Sequence, residues 1–133
     1  MPTTKRPAEP EADPRVKAVF DDIRATRNSD FINNFWIYLA FDPALLEETW
    51  AGVKSVMAQP SALDPLTKEL IYIAVSITNS CRYCVHSHTA AARSKGMTDA
   101  MYADLLRVVA TAGRTNQLLN GLQVPVDAAF EME

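Results

Sequence analysis

The dipeptide Asp-Pro opens three segments of this chain, at Asp13-Pro14, Asp42-Pro43 and Asp64-Pro65, and nothing else in it limits the fold as strongly. An aspartate ahead of a helix accepts hydrogen bonds from the free amides of the first turn. A proline just inside forfeits no bond, because its nitrogen would have had no partner there. Each signal is followed by apolar residues at helical spacing: Val16, Val19, Phe20 and Ile23 after the first, Leu46, Trp50, Val53 and Met57 after the second, up to Pro60. Between them Asn28, Ser29 and Asp30 interrupt the pattern and can cap a helix with Ile32, Phe35, Trp36 and Leu39 along one face. The third signal opens a segment that is apolar nearly all round, with Leu66, Leu70, Ile71, Ile73, Ala74, Val75 and Ile77. Such a helix belongs at the centre of a bundle or between subunits. Its β-branched residues would also suit a strand, but the capped start and the length favour a helix.

Asn79 and Ser80 end that run and offer an N-cap for a fifth helix ending at Gly96. Thr98 caps a sixth, with Met101, Leu105, Val108 and Ala112 on one side and Gly113 after it, and a short seventh covers 115–122 before Pro125. No strand pattern, Gly-rich phosphate loop or internal repeat is present. The expectation is an all-α fold, a compact bundle of about six or seven helices. Its central antiparallel hairpin carries the two cysteines. Residues 1–13, polar and proline-rich, read as a flexible tail, and 14–133 as a single domain. The apolar faces exceed what one small bundle can cover, so a homo-oligomer is expected. A net charge of −3 and a pI near 5.4 leave no basic field for nucleic acid. No apolar run approaches the roughly 18 residues that span a bilayer, so no membrane partner is expected. The opening has no hydrophobic signal core, which points to the cytoplasm, where two cysteines suggest redox or metal chemistry rather than a structural disulfide.

Both cysteines and both histidines fall in Cys81-Arg82-Tyr83-Cys84-Val85-His86-Ser87-His88. If a helix begins at Cys81 with Asn79 or Ser80 as its cap, Cys81, Cys84 and His88 share one face, while Tyr83, Val85 and His86 point off it. Thiols in a first turn meet free amides and the positive end of the helix dipole, so a thiolate should form there below the roughly 8.5 of free cysteine. His88, one turn beyond Cys84, can accept its proton directly or through a water. Glu69 shares a helical side with Tyr72 and Ser76; if the fourth and fifth helices pack antiparallel, it can meet His88 and orient the imidazole. Other readings stay open. Cys81, Cys84, His88 and Glu69 make four potential zinc ligands, although zinc thiolate pairs usually sit in turns with a distant second pair. The thiols could be incidental small core residues in an oligomeric scaffold. Arg82 can stabilise a thiolate or be solvated, and His86 suits a surface or interface. The aromatic run Phe31, Phe35, Trp36, Tyr38 and Phe41 suits either a core or a pocket wall.

Glu69 followed by Cys81, Cys84 and His88 resembles the active-site signature of the alkylhydroperoxidase D-like proteins of the carboxymuconolactone decarboxylase superfamily. The run from Ser76 to Arg93 looks like that family's central hairpin, and 96–99 and 121–127 resemble its later segments, a likeness over roughly residues 30 to 127. The resemblance implies an all-helical fold assembled into trimers or hexamers. It also implies reduction of hydroperoxides or disulfides with no metal or organic cofactor. Cys84 would be oxidised to sulfenic acid, Cys81 would donate a proton and then close the disulfide, and Glu69 and His88 would form the proton relay, with Tyr83, Tyr72 and His86 as possible supports. An external dithiol, a small molecule or a carrier protein, would restore the pair. The chain departs from the pattern at Tyr83, where members can carry a histidine between the cysteines. The decarboxylases that name the superfamily generally lack the cysteine pair, so lactone decarboxylation is not expected. The alternatives are a disulfide reductase or electron carrier that does not act on peroxide, and a zinc-binding structural module.

Overall fold

A computed structural model describes residues 1–132. Among them are six α-helices, two short 3-10 turns and no strand: α1 (Pro14–Arg27), α2 (Asn34–Leu39), α3 (Pro43–Met57), α4 (Pro65–Thr78), α5 (Arg82–Ser94) and α6 (Asp99–Leu122). The fold is all-α, as expected. The chain divides into two units, Met1–Ser61 and Ala62–Glu133.

All three Asp-Pro signals start a helix by the mechanism expected of them. Asp13 accepts from the Arg15 amide at 2.8 Å, Asp42 from Leu45 at 3.2 Å, and Asp64 from Thr67 at 3.0 Å, with proline at the first helical position each time. In the first unit α1 packs on α3, and the predicted stripe Val16, Val19, Phe20 and Ile23 is buried with Leu46 and Trp50. The aromatic run divides. Trp36 is buried and meets Trp50 edge-on at 5.5 Å, whereas Phe31, Phe35 and Phe41 are exposed. A helix of six residues turns less than twice, so α2 can bury only one narrow face. Its N-cap is Asn33, later than the Asn28–Asp30 cluster; Asn28 instead ends α1 in a left-handed conformation, φ 50°. Pro10–Ala12 form a 3-10 turn whose Glu11 pairs with Arg24 at 2.7 Å.

The second unit holds the antiparallel hairpin α4–α5 with α6 packed on α4. Ile73, Ala92 and Met97 are its buried apolar residues, flanked by Leu66, Leu70, Ile77, Met101, Tyr102 and Leu105. The expected sixth and seventh helices are one. α6 runs for 24 residues straight through Gly113, where an added Cβ would meet nothing within 4 Å. A single glycine weakens a helix by about 1 kcal/mol against alanine, and no proline joins it here to force a stop.

The turn between α4 and α5 positions the site. Ser80 adopts φ 56°, its amide bonds the Ile77 carbonyl at 3.1 Å, and the Cys81 amide bonds the Ser76 carbonyl at 2.9 Å. This is a Schellman ending with serine at the left-handed position that glycine usually fills. The same pair of bonds closes α5, where Gly96 takes φ 102°. Cys81 therefore closes α4 and, with no intervening residue, caps α5 itself. The cap expected at Asn79 or Ser80 moves one residue on, because those two are consumed in ending α4.

Candidate active site

All the candidate residues lie on the α4–α5 hairpin, within the second unit. Cys81, the N-cap of α5, accepts the Cys84 amide on its sulfur at 3.3 Å, doing with sulfur what Asp or Ser does with oxygen. Both cysteines are half-buried free thiols. The two then diverge where the sequence suggested similar behaviour. Hydrogen bonds from the Cys84 thiol and amide hold Cys81 below the ordinary cysteine value. Cys84 is pushed up to about 11, first by burial and then by its hydrogen bond to Cys81 and that neighbour's charge, against a hydrogen bond from Ser76. Two sulfurs this close carry one negative charge more readily than two, and the cap position holds it on Cys81.

One helical turn on, His88 Nδ1 lies 2.7 Å from Glu69 Oε2. Glu69 is 5% exposed, although it occupies only the second turn of α4. Its other oxygen, Oε1, accepts from Lys95 Nζ at 3.3 Å. Burial pushes this carboxyl upward, but the hydrogen bond and charge of His88 and those of Lys95 outweigh it and hold the group below its ordinary range. Glu69 is therefore a carboxylate at neutral pH. A carboxylate on Nδ1 favours the tautomer with the proton there, which leaves the Nε2 lone pair free as a base. Tyr72 fixes the ring from the side: its own ring stacks on the imidazole at 3.6 Å and 19°. Burial, then the charges of Cys84, Cys81 and Glu69, raise the Tyr72 phenol, so it remains a hydroxyl donor.

The spacing of Glu69, Tyr72 and Ser76 along α4 now has a chemical meaning. Glu69 and Ser76 are buried and Tyr72 half-buried, and they meet His88 and Cys84 in turn along the antiparallel neighbour. Two participants were not foreseen. Register places Ser76 on the side of Glu69 and Tyr72 without marking it as a hydrogen-bond donor to sulfur. Lys95 lies seven residues beyond His88, with buried Ala92 between them, and that i, i+4, i+7 pattern could have found it. Tyr83 and His86 are exposed, as is Arg82, and none of the three joins the Glu69–His88 pair. Among the described residues, no three His, Cys, Asp or Glu side chains converge to hold a metal ion. The Glu69 carboxylate is engaged with His88 Nδ1 and Lys95, and the Cys81 sulfur with the Cys84 amide.

Comparison with known proteins agrees with the hairpin geometry. The family model of the Carboxymuconolactone decarboxylase family matches residues 43–127, a stretch that includes Glu69, Cys81, Cys84 and His88. A solved structure described as the alkylhydroperoxidase AhpD core from Rhodospirillum rubrum is 58% identical, with a TM-score of 0.96, covering 100% of this chain and 99% of that one. A curated relative, uncharacterized protein 4 in the cox locus of Paracoccus denitrificans, is 30% identical over 67 residues, which is 50% of this chain and 60% of that protein. The chain thus spans less than two thirds of that relative's length. No described helix is long and apolar enough to cross a membrane.

Proposed function

The chain is an AhpD-like member of the carboxymuconolactone decarboxylase family, and from that premise we propose that it is a cofactor-free dithiol oxidoreductase that reduces hydroperoxides through Cys84 and Cys81. The observation that carries this reading is the buried Glu69 carboxylate on His88 Nδ1 at 2.7 Å, one turn from a cysteine pair already hydrogen-bonded to each other.

A proton passes from the Cys84 thiol to Cys81, which places the shared negative charge on Cys84. The Cys84 thiolate attacks the distal oxygen of the O–O bond and becomes sulfenic acid; the departing alkoxide takes the proton back from Cys81 and leaves as alcohol. The Cys81 thiolate then attacks the Cys84 sulfur, forming the disulfide and expelling hydroxide, which leaves as water with a proton relayed through His88. Glu69 keeps the imidazole in the tautomer that can accept and return that proton, and Lys95 holds the second carboxylate oxygen. Tyr72, stacked on the ring, prevents it from turning away. An external dithiol returns the pair to its reduced form, and the working unit is a homo-oligomer, a trimer or hexamer.

Turnover of an alkyl hydroperoxide and of a small-molecule disulfide, measured with the same dithiol reductant, tests the proposal. Peroxide turnover lost in Cys84→Ser and reduced about 10²-fold in Glu69→Gln is the expected result. A chain that turns over the disulfide but not the peroxide would instead be a disulfide reductase. That second reading is favoured by Tyr83, which stands exposed where the resembling proteins can carry a histidine.

A further inference from the structure

Glu69, Tyr72 and Ser76 stand at i, i+3 and i+7 along α4, and the outer two are matched to partners on α5: Glu69 to His88, and Ser76 to the Cys84 sulfur. Tyr72 therefore spans the single turn that separates Cys84 from His88. Its ring lies face to face with the imidazole, centroids 3.6 Å apart and planes within 19°. A phenol hydroxyl lies in the plane of its own ring, so a ring stacked in this way carries the hydroxyl past the rim of the imidazole rather than into it. The hydroxyl faces the sulfur end of that interval: after burial, the charge of Cys84 bears on this phenol most, then that of Cys81, and that of Glu69 least. The neighbouring donors are already engaged. The Ser76 hydroxyl bonds Cys84, the Cys84 amide bonds Cys81, and His88 Nδ1 and Lys95 both serve Glu69. Among the described residues the Tyr72 hydroxyl makes no hydrogen bond, and Tyr72 and Cys84 are both half-buried, within reach of a small molecule. We infer that Tyr72 is a further catalytic residue of this site: its phenol donates a hydrogen bond to the peroxide oxygen that departs when the Cys84 thiolate attacks.

The inference rests on the peroxidase reading above and supplies what its first bond-breaking step needs. An S–O bond forms as the O–O bond breaks; the sulfur gives up two electrons, and the proximal oxygen leaves with the bonding pair. Negative charge grows on that oxygen before the proton from Cys81 reaches it. An alkoxide is a strong base, so a fixed donor at this point lowers the barrier in the way an oxyanion hole does. Tyr72 keeps its own proton throughout. Burial and the charges of the sulfurs oppose its ionisation, so the phenol donates a hydrogen bond and transfers nothing. The proton balance is unchanged, with Cys81 supplying the proton that completes the alcohol. The stack that orients His88 also fixes the phenol, so the donor is in place before peroxide arrives.

The rate of thiol oxidation in the reduced full chain, with cumene hydroperoxide and with peracetic acid, tests this. The leaving group is an alkoxide in the first and a weakly basic carboxylate in the second, so the first depends far more on a donor. Tyr72→Phe keeps the ring and its stack and removes the hydroxyl. It should slow cumene hydroperoxide about tenfold, less than loss of a donor in an enclosed site because this one is half open, and it should lower the hydroperoxide-to-peracid rate ratio nearly as much. Peracid oxidation of the same variant reports that its site is folded. Tyr72→Leu, which also removes the stack, should slow both oxidants further. Equal slowing of both oxidants in Tyr72→Phe would make Tyr72 a support for the ring alone and overturn the inference; so would a Tyr72→Phe chain as fast as the wild type. A wild-type chain whose thiols survive cumene hydroperoxide would overturn the peroxidase reading and this inference together, a result distinguished by needing no variant.

Discussion

Glu69 concentrates more of the chemistry than either sulfur does alone. A carboxylate 5% exposed can stay ionised only because an imidazole and an ammonium share its two oxygens. Glu69→Gln removes the charge while keeping the shape. Its stability cost should be about 1–2 kcal/mol by denaturant unfolding, less than the 3–5 kcal/mol of a fully buried broken pair, because Lys95 can turn toward water. The pH dependence follows from the sign of the shift. The folded value lies below the ordinary 4.5, so the stability from Glu69 is complete above 4.5 and is lost as pH falls through the folded value. Acid titration of unfolding should therefore show a shallower slope below pH 4.5 in Glu69→Gln than in the wild type; parallel curves would mean that the carboxylate is not held ionised by its partners. At this scale the sequence was partly legible. Glu69, Cys81, Cys84 and His88 could be named because register alone places them. The split between the sulfurs was not legible, since it depends on Cys81 being the cap rather than the first helical residue, a difference of one position set by the turn.

That turn belongs to the hairpin as an element. Ser80 bears a left-handed backbone at φ 56°, a conformation that costs most L-residues roughly 1–2 kcal/mol and serine somewhat less than a β-branched residue. Ser80→Gly should be neutral or stabilising by up to about 1 kcal/mol, and Ser80→Val destabilising by about 1–2 kcal/mol with a slowed thiol reaction, because the cap moves with the turn. In α6, Gly113→Ala should raise stability by up to about 1 kcal/mol, since the helix is continuous there and nothing lies within 4 Å of the added Cβ. A loss of stability would mean that the helix breaks at Gly113 in solution. Four helix starts were readable because Asp-Pro and Thr98 act locally, within three residues, whereas the caps of α2 and α5 fall at Asn33 and Cys81, beyond the residues expected to supply them. Helix ends were less so: Gly96 announces itself, but Asn28, Ser80 and Gln123 end helices in the same left-handed way without a glycine to mark it. Gly113 carries the stop residue without the stop.

For the molecule as a whole, the all-round apolar character of α4 has a visible consequence. Ile73 is fully buried while Ile71 and Val75, on the same helix, are 48% and 52% exposed. Leu118, Leu119 and Leu122 of α6 are also exposed. Clusters of this kind favour self-association. Light scattering should give a mass that is a multiple of the 14.7 kDa chain, three or six being expected, and Val75→Lys should lower it; a stable monomer would contradict this. The helical class was legible from the periodicity of the whole chain, whereas the division at residue 61 was not, since Pro60 and Ser61 mark a helix stop and a loop there in the same way as the loops within each unit. The central claim is that Cys81 and Cys84 form one redox unit driven by the carboxylate–imidazole pair. Mass spectrometry of the intact chain after one equivalent of alkyl hydroperoxide tests it most directly. The account predicts a loss of the two thiol hydrogens, a linked peptide containing both 81 and 84, and a stalled sulfenic acid on Cys84 when Cys81 is serine. Two thiols that remain fully alkylatable after peroxide would contradict it.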